Sequence, residues 1–190
     1  MSEPAIKKAT YDDLYKIPEN MTGEIIAGEL IVTPRPSRKH VYTASSLEGN
    51  LSRYHFGGGA GPGGWIILVE PEISMGENIL VPYLTGWRED RFPESEDHNW
   101  ISAVPDWICE ILSPSTAKTD KTDKMPLYAR YGVSHLWLID PLAKTLDVFR
   151  LEAGRWVVLS LFAEADKVRA EPFEEVEIDL NSLWIEGRRK

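Results

Sequence analysis

The acid in the run "DWICEILS" is the residue of this chain that most needs a chemical reason to be where it is. Glu110 is flanked by Ile108, Cys109, Ile111 and Leu112, a pattern that reads as a buried β-strand. A carboxylate in such a strand is costly unless it is paired or binds a metal; the alternative is that Glu110 faces solvent on a half-exposed strand. Asp106 lies four residues earlier on the same face. At about 3.3 Å per residue the two are roughly 13 Å apart, too far to share one cation. A metal-binding partner for Glu110 must therefore come from another strand. The neighbouring run "NILVPY" could supply it, yet it ends in Tyr83, a phenol with an ordinary pKa near 10 and a poor ligand for a hard cation. Glu24, in "GEIIAGELIVTP", is a second candidate carboxylate, or else an exposed acid before a strand.

The segment after the Glu110 strand, "SPSTAKTDKTDK", carries hydroxyls and lysines. Ser113, Ser115, Lys118 and Lys121 suit contacts to phosphate oxygens, and a solvated turn is the plainer reading. Pro126 belongs in the first turn of a helix, so the regular helix over "DKMPLYARYG" is predicted to begin no earlier than about Asp123. Lys124 then sits near the positive end of a helix dipole. That placement makes sense if a carboxylate such as Glu110 holds it. A further basic cluster, "PRPSRKH", contributes Arg38 and His40 as candidate nucleic-acid contacts, and "GRRK" closes the chain.

The formal net charge of −9 over 190 residues excludes wholesale electrostatic attachment to nucleic acid but leaves room for a local basic groove. The length predicts a single domain over 1–190, with 1–9 and 186–190 flexible. Cys109 is the only cysteine and reads as a buried small hydrophobe, which suits a reducing cytoplasm. Neither a membrane-spanning apolar run nor a secretory leader is indicated. The glycine-rich "FGGGAGPGGW" lacks the Gly-Lys-Ser/Thr ending of a phosphate loop and precedes a strand, so it reads as a flexible loop.

The elements that must position these residues follow from periodicity and turn chemistry. Thr10 and Asp13 resemble a capping box for a short helix over "YDDLYKI", ended by Pro18. Gly28 marks a turn into a first strand, "ELIVTP". Val41, Ala44, Leu47 and Leu51 recur at helical spacing, predicting a helix from His40 to Tyr54. "WIILVEPEI" and "NILVPY" read as a hairpin through "SMGE", followed by a polar loop from Leu84 to Asn99. "SHLWLIDP", "TLDVFRL" and "RWVVLSLF" read as three strands with turns at "PLAK" and "EAGR". A strand, a helix and another strand imply a crossover, hence an α/β (α+β) fold with a mixed sheet flanked by helices and a C-terminal β-meander.

Several of these stretches together resemble the Uma-type family of restriction endonucleases, a branch of the PD-(D/E)XK nuclease superfamily. They are "GEIIAGELIVTPRPSRKH", "GGWIILVEPEI", "ENILVPYLTGWRED", "VPDWICEILSPSTAKTDKTDKMPLYARYGVSHLWLIDPLAKTLDVFRL" and "VEIDLNSLW". The similarity spans roughly Tyr11 to Trp184. It implies a restriction-endonuclease-like core and a phosphodiesterase site dependent on Mg²⁺ or Mn²⁺. Position by position, Glu24 matches the N-terminal acid, Glu110 the acid of the (D/E)XK strand, and Asp120 another commonly acidic place. The third position of the half-motif is Leu112, and Lys124 matches a lysine moved to the following helix. Tyr83 occupies the motif aspartate position.

In the mechanism that the resemblance implies, the aspartate and Glu110 hold the metal, which activates water, and the lysine stabilises developing charge. With Tyr83, one of two central ligands is absent. Three readings stay open: a metal-dependent endonuclease of DNA impaired at Tyr83, a silent member that binds nucleic acid or protein, and an introduced substitution in an active enzyme. The apolar "RWVVLSLF" edge suggests a homodimer.

Overall fold

In a computed structural model of the chain, residues 8–55, 61–94 and 97–188 are described. The first half of the glycine-rich loop, at 56–60, and the outermost parts of the termini predicted to be flexible, 1–7 and 189–190, lie outside those residues. The described chain forms two sheets. A four-stranded antiparallel sheet has the order β2-β1-β5-β4 and a six-stranded mixed sheet the order β10-β9-β8-β7-β6-β3. The first comprises β1 (Met21–Ile26), β2 (Glu29–Pro34), β4 (Ile73–Met75) and β5 (Asn78–Leu80). The second comprises β3 (Trp65–Val69), β6 (Leu84–Arg88), β7 (Trp107–Ile111), β8 (His135–Asp140), β9 (Thr145–Glu152) and β10 (Arg155–Ala163). A short pair, β11 (Lys167–Val168) with β12 (Ile178–Asp179), stands apart.

The parallel pair is β7 with β8, and the helical segment between them makes the predicted crossover. That segment runs through α3 (Ala117–Thr119), a π-helical turn (Asp120–Lys124) and α4 (Met125–Tyr131), which ends at Gly132 in the left-handed region, φ 83°. The remaining helices are α1 (Tyr11–Leu14), where the Thr10 N–H donates to the Asp13 carboxylate, and α2 (Arg38–Leu51).

Three sequence expectations need correction. The run before Gly28 is itself a strand, β1, so Gly28 turns a hairpin rather than opening the first strand. "WIILVEPEI" divides at Glu70, whose φ of 46° breaks the extended path, and its halves β3 and β4 join different sheets. Leu84–Arg88, expected in a polar loop, is the inner strand β6. The regular helix α4 begins at Met125, within the limit that Pro126 sets, and is preceded by a short helical lead-in from Ala117 and the π-helical turn. The predicted C-terminal meander β8-β9-β10 continues the main sheet.

Both faces of the six-stranded sheet are covered. On one, Leu47 and Leu51 of α2 meet Trp65, Trp107 and Trp137, with Phe173 wedged among the three indoles at 4.9, 4.9 and 5.6 Å. On the other, Leu127 and Tyr128 of α4 and the smaller sheet's Met75 and Leu80 cover Trp87, Ile108 and Leu136. This double burial keeps β7 out of water along its whole length, Glu110 included.

Candidate active site

Three elements bring charge to one point. Glu110 is carried by β7 and is 1% exposed. The β6–β7 ladder ends with Leu84 opposite Cys109, and Tyr83, just before β6, lies close enough for the charge of Glu110 to act on its phenol. Strand β1 supplies Glu24, whose Oε1 accepts the Val81 N–H at 2.8 Å just before Pro82 and Tyr83. The π-helical turn supplies Asp120 and Lys124. Pro126 has no N–H, and the Met125 N–H instead reaches back five residues to the Asp120 carbonyl.

Lys124 is the hub. Its Nζ lies 2.7 Å from Glu110 Oε1, 2.9 Å from Glu24 Oε1 and 3.6 Å from Asp120 Oδ1, and the residue is 2% exposed. Tyr128, one turn further along, donates its hydroxyl to the same Glu110 Oε1. Burial pushes the Glu110 carboxyl up to about 7, with Asp120 and Glu24 adding to the rise against the opposing pull of Lys124. Burial raises Asp120 as well, again with Lys124 opposing. For Lys124 burial works the other way, yet Glu110 and Glu24 hold its pKa well above the usual lysine value, so it remains an ammonium. Tyr83 is pushed up by burial and by the negative charges of Glu110, Glu70 and Asp120, and stays a neutral phenol.

These groups border a cleft of about 340 Å³. Glu24, Tyr83, Glu110, Asp120, Lys124, Ser113, Ser115 and His40 all line it, so the structure brings together eight residues singled out from sequence. Ser113 Oγ contacts Ser115 Oγ at 2.9 Å and Thr116 Oγ1 at 3.0 Å, forming a hydroxyl cluster at the rim. His40 is committed internally: Nε2 donates to the Leu112 carbonyl at 2.7 Å while Nδ1 receives the Ser37 hydroxyl at 2.6 Å, and the ring stacks on Tyr83. That leaves it to position the exit of β7 rather than to bind a ligand. Arg38, Lys118 and Lys121 are exposed and lie outside the cleft lining. The rim cations are Arg35 and Lys39, from the same basic cluster as Arg38. Sequence reasoning missed these two, along with Glu70 and Tyr128.

The chain was compared with known proteins. A family model named Uma2, described as "Putative restriction endonuclease", matches residues 9–181. The chain belongs to the Uma2 family. Among solved structures it is similar to a protein of Anabaena variabilis ATCC 29413 described as "a putative nuclease belonging to DUF820", at 26% identity, with 93% of this chain and 97% of that chain covered and a TM-score of 0.69. Among curated proteins none matches. The fold is thus of restriction-endonuclease-like type, and the Uma2 assignment makes the cleft with Glu110 and Lys124 the place to look for nuclease chemistry.

Nucleases of this fold class imply a divalent cation, and the donor set of this Uma2 member does not fit one. The phenol of Tyr83 is held neutral where a second carboxylate would be wanted, and hard cations prefer charged oxygen. Glu110 Oε1 is shared by Lys124 and Tyr128, and Glu24 Oε1 by Lys124 and the Val81 N–H. Among the described residues, no group of three or more His, Cys, Asp or Glu side chains has the arrangement of a metal site.

Proposed function

We propose that the cleft is the phosphodiester-binding site of a DNA nuclease in which Tyr83, standing at the motif aspartate, impairs metal-dependent hydrolysis. The observation that carries this reading is the convergence of Glu110, Glu24 and Asp120 on the buried Lys124 at the edge of a cleft, within a Uma2 chain. In this reading the hydroxyls of Ser113, Ser115 and Thr116 and the cations of Arg35 and Lys39 bind phosphate oxygens at the rim. Lys124 offsets negative charge at the reacting phosphate. Glu110, with a pKa of about 7, is poised to take a proton at neutral pH. Cys109, buried as a free thiol, fits a reducing cytoplasm.

The test is nicking of supercoiled plasmid in Mg²⁺ or Mn²⁺ by the native chain, by Tyr83→Asp and by Tyr83→Asp combined with Glu110→Ala. The expected order is little or no nicking, nicking, and none. If Tyr83→Asp is as inert as the native chain, the nuclease reading fails. The neutral ring of Tyr83 beside His40 also favours a second reading, retention of nucleic acid without cleavage. Salt-sensitive binding of a labelled duplex by the uncleaving native chain is its signature, and no binding at low salt would dismiss it.

A further inference from the structure

The two sheets offer four edges, and they are not equally protected. Strand β3 carries a bridge to His55, β4 carries one to Ile101, and β2 ends in Pro34. Strand β10 pairs with β9 alone among the described residues and leaves its other side open. Sheet proteins guard open edges with lysine, proline or inward charge. From Trp156 to Ala163, β10 has none of these, and it exposes Val157, Val158 and Leu161 at 38, 52 and 68%.

Its geometry is specific. The β9 register steps from Val158 opposite Phe149 to Ser160 opposite Val148, so Leu159 is an inserted residue. The insertion turns Leu159 toward the core and leaves Val158 and Leu161 on one face of the sheet, although they are three apart. At the two ends stand Arg155 and Glu164, both exposed and neither in an ion pair among the described residues. Glu164 is anchored by its N–H bond to the Lys144 carbonyl and by the Trp184 indole on its own carbonyl.

We infer that β10 is the interface with a second copy of this chain, which adds antiparallel across a two-fold axis between Leu159 and Ser160. A two-fold pairing must be self-complementary. In this register Arg155 faces the partner's Glu164 at both ends, and Val158 faces the partner's Leu161 on the same side of the joined sheet. A slip of one residue would set Val158 against the partner's Ser160 or the partner's Phe162, with side chains on opposite faces, and would separate the charges. The charge complementarity and the apolar match thus select the same register. A nine-residue edge is short of the roughly 1,600 Å² that a standard stable interface buries, so association is expected in the micromolar range.

Sedimentation velocity of the intact chain across that range tests the inference. The native chain dimerises. Arg155→Glu and Glu164→Arg each weaken the dimer about tenfold by setting like charges opposite each other, and the double exchange restores it. Leu161→Lys abolishes it. Thermal midpoints equal to native show that these exposed substitutions leave the fold intact. A native chain that stays monomeric throughout, single exchanges without effect, or a double exchange that fails to restore association would each overturn the assignment.

Discussion

Replacing Lys124 with methionine tests whether the charge hub holds the site together. The ammonium sits at 2.7, 2.9 and 3.6 Å from three carboxylates and is almost wholly buried. At an effective dielectric near 20, each contact represents about 4–6 kcal/mol of attraction, most of which is cancelled by the cost of taking the charges out of water. The net term is set by what remains after one partner is lost. Methionine fills much of the space but leaves Glu110 buried without its cation, and breaking a buried pair in this way costs about 3–5 kcal/mol. With a urea slope of about 2 kcal/mol/M, the midpoint should fall by roughly 2 M, read by tryptophan fluorescence. Without Lys124 the Glu110 carboxyl rises further, and an acid with a raised folded pKa withdraws stability as pH increases, so the deficit should be larger at pH 8 than at pH 5. The companion variant Lys124→Met with Glu110→Gln removes both members of the pair and should recover most of the loss. A midpoint shift below about 0.5 M, or no recovery in the double variant, would refute the hub.

Glu110→Gln alone should flatten the pH dependence of stability. The folded pKa of about 7 lies above the ordinary 4.5, so the stabilising effect of the protonated group is full below pH 4.5 and lost by pH 7, on the order of 3 kcal/mol across that window. Equal slopes for variant and native chain in pH-resolved urea melts would contradict the assignment. Gly86→Ala should destabilise by about 1–3 kcal/mol, because a Cβ there meets Trp107 at 3.1 Å and Trp65 at 3.3 Å, and both rings are locked in the core. A thermal midpoint unchanged from native would show that the indoles can yield.

Much of the site was legible because its residues break simple rules. Glu110 stood out as an acid in an apolar strand, and Lys124 as a cation at the wrong end of a helix; the structure answers both anomalies with one ion pair. Tyr128 gave no such signal, since a tyrosine on an amphipathic helix reads as core, and only the fold shows its hydroxyl on Glu110. The basic cluster was visible, but which of its cations faces the cleft depends on how α2 enters the fold, so Arg38 was chosen where Arg35 and Lys39 are the rim residues. Strand β6 was hidden by Pro82 before it and by the charged "RED" that begins at its last residue, while its membership rests on Trp87 and on Gly86, both meaningful only beside distant strands. The division into two sheets is likewise non-local. It turns on the left-handed residue Glu70, which sequence propensity would place in an extended strand.

On the proposed reading Tyr83 removes a ligand, and it still makes physical sense in this setting. A carboxylate there would stand among Glu110, Glu70 and Asp120, whose charges already raise the phenol, with Lys124 as the buried cation nearby. Burial already raises Glu110 and Asp120, with neighbouring carboxylates adding to the rise, and one more negative charge in so dry a site would push them further. A neutral phenol relieves one charge, packs its ring against His40 and the core, and leaves Lys124 balanced by the remaining acids. The exchange that, on the proposed reading, removes a cation ligand therefore also makes the ligand-free fold easier to hold. On that reading, capacity for hydrolysis and stability without a bound cation pull in opposite directions at a single residue.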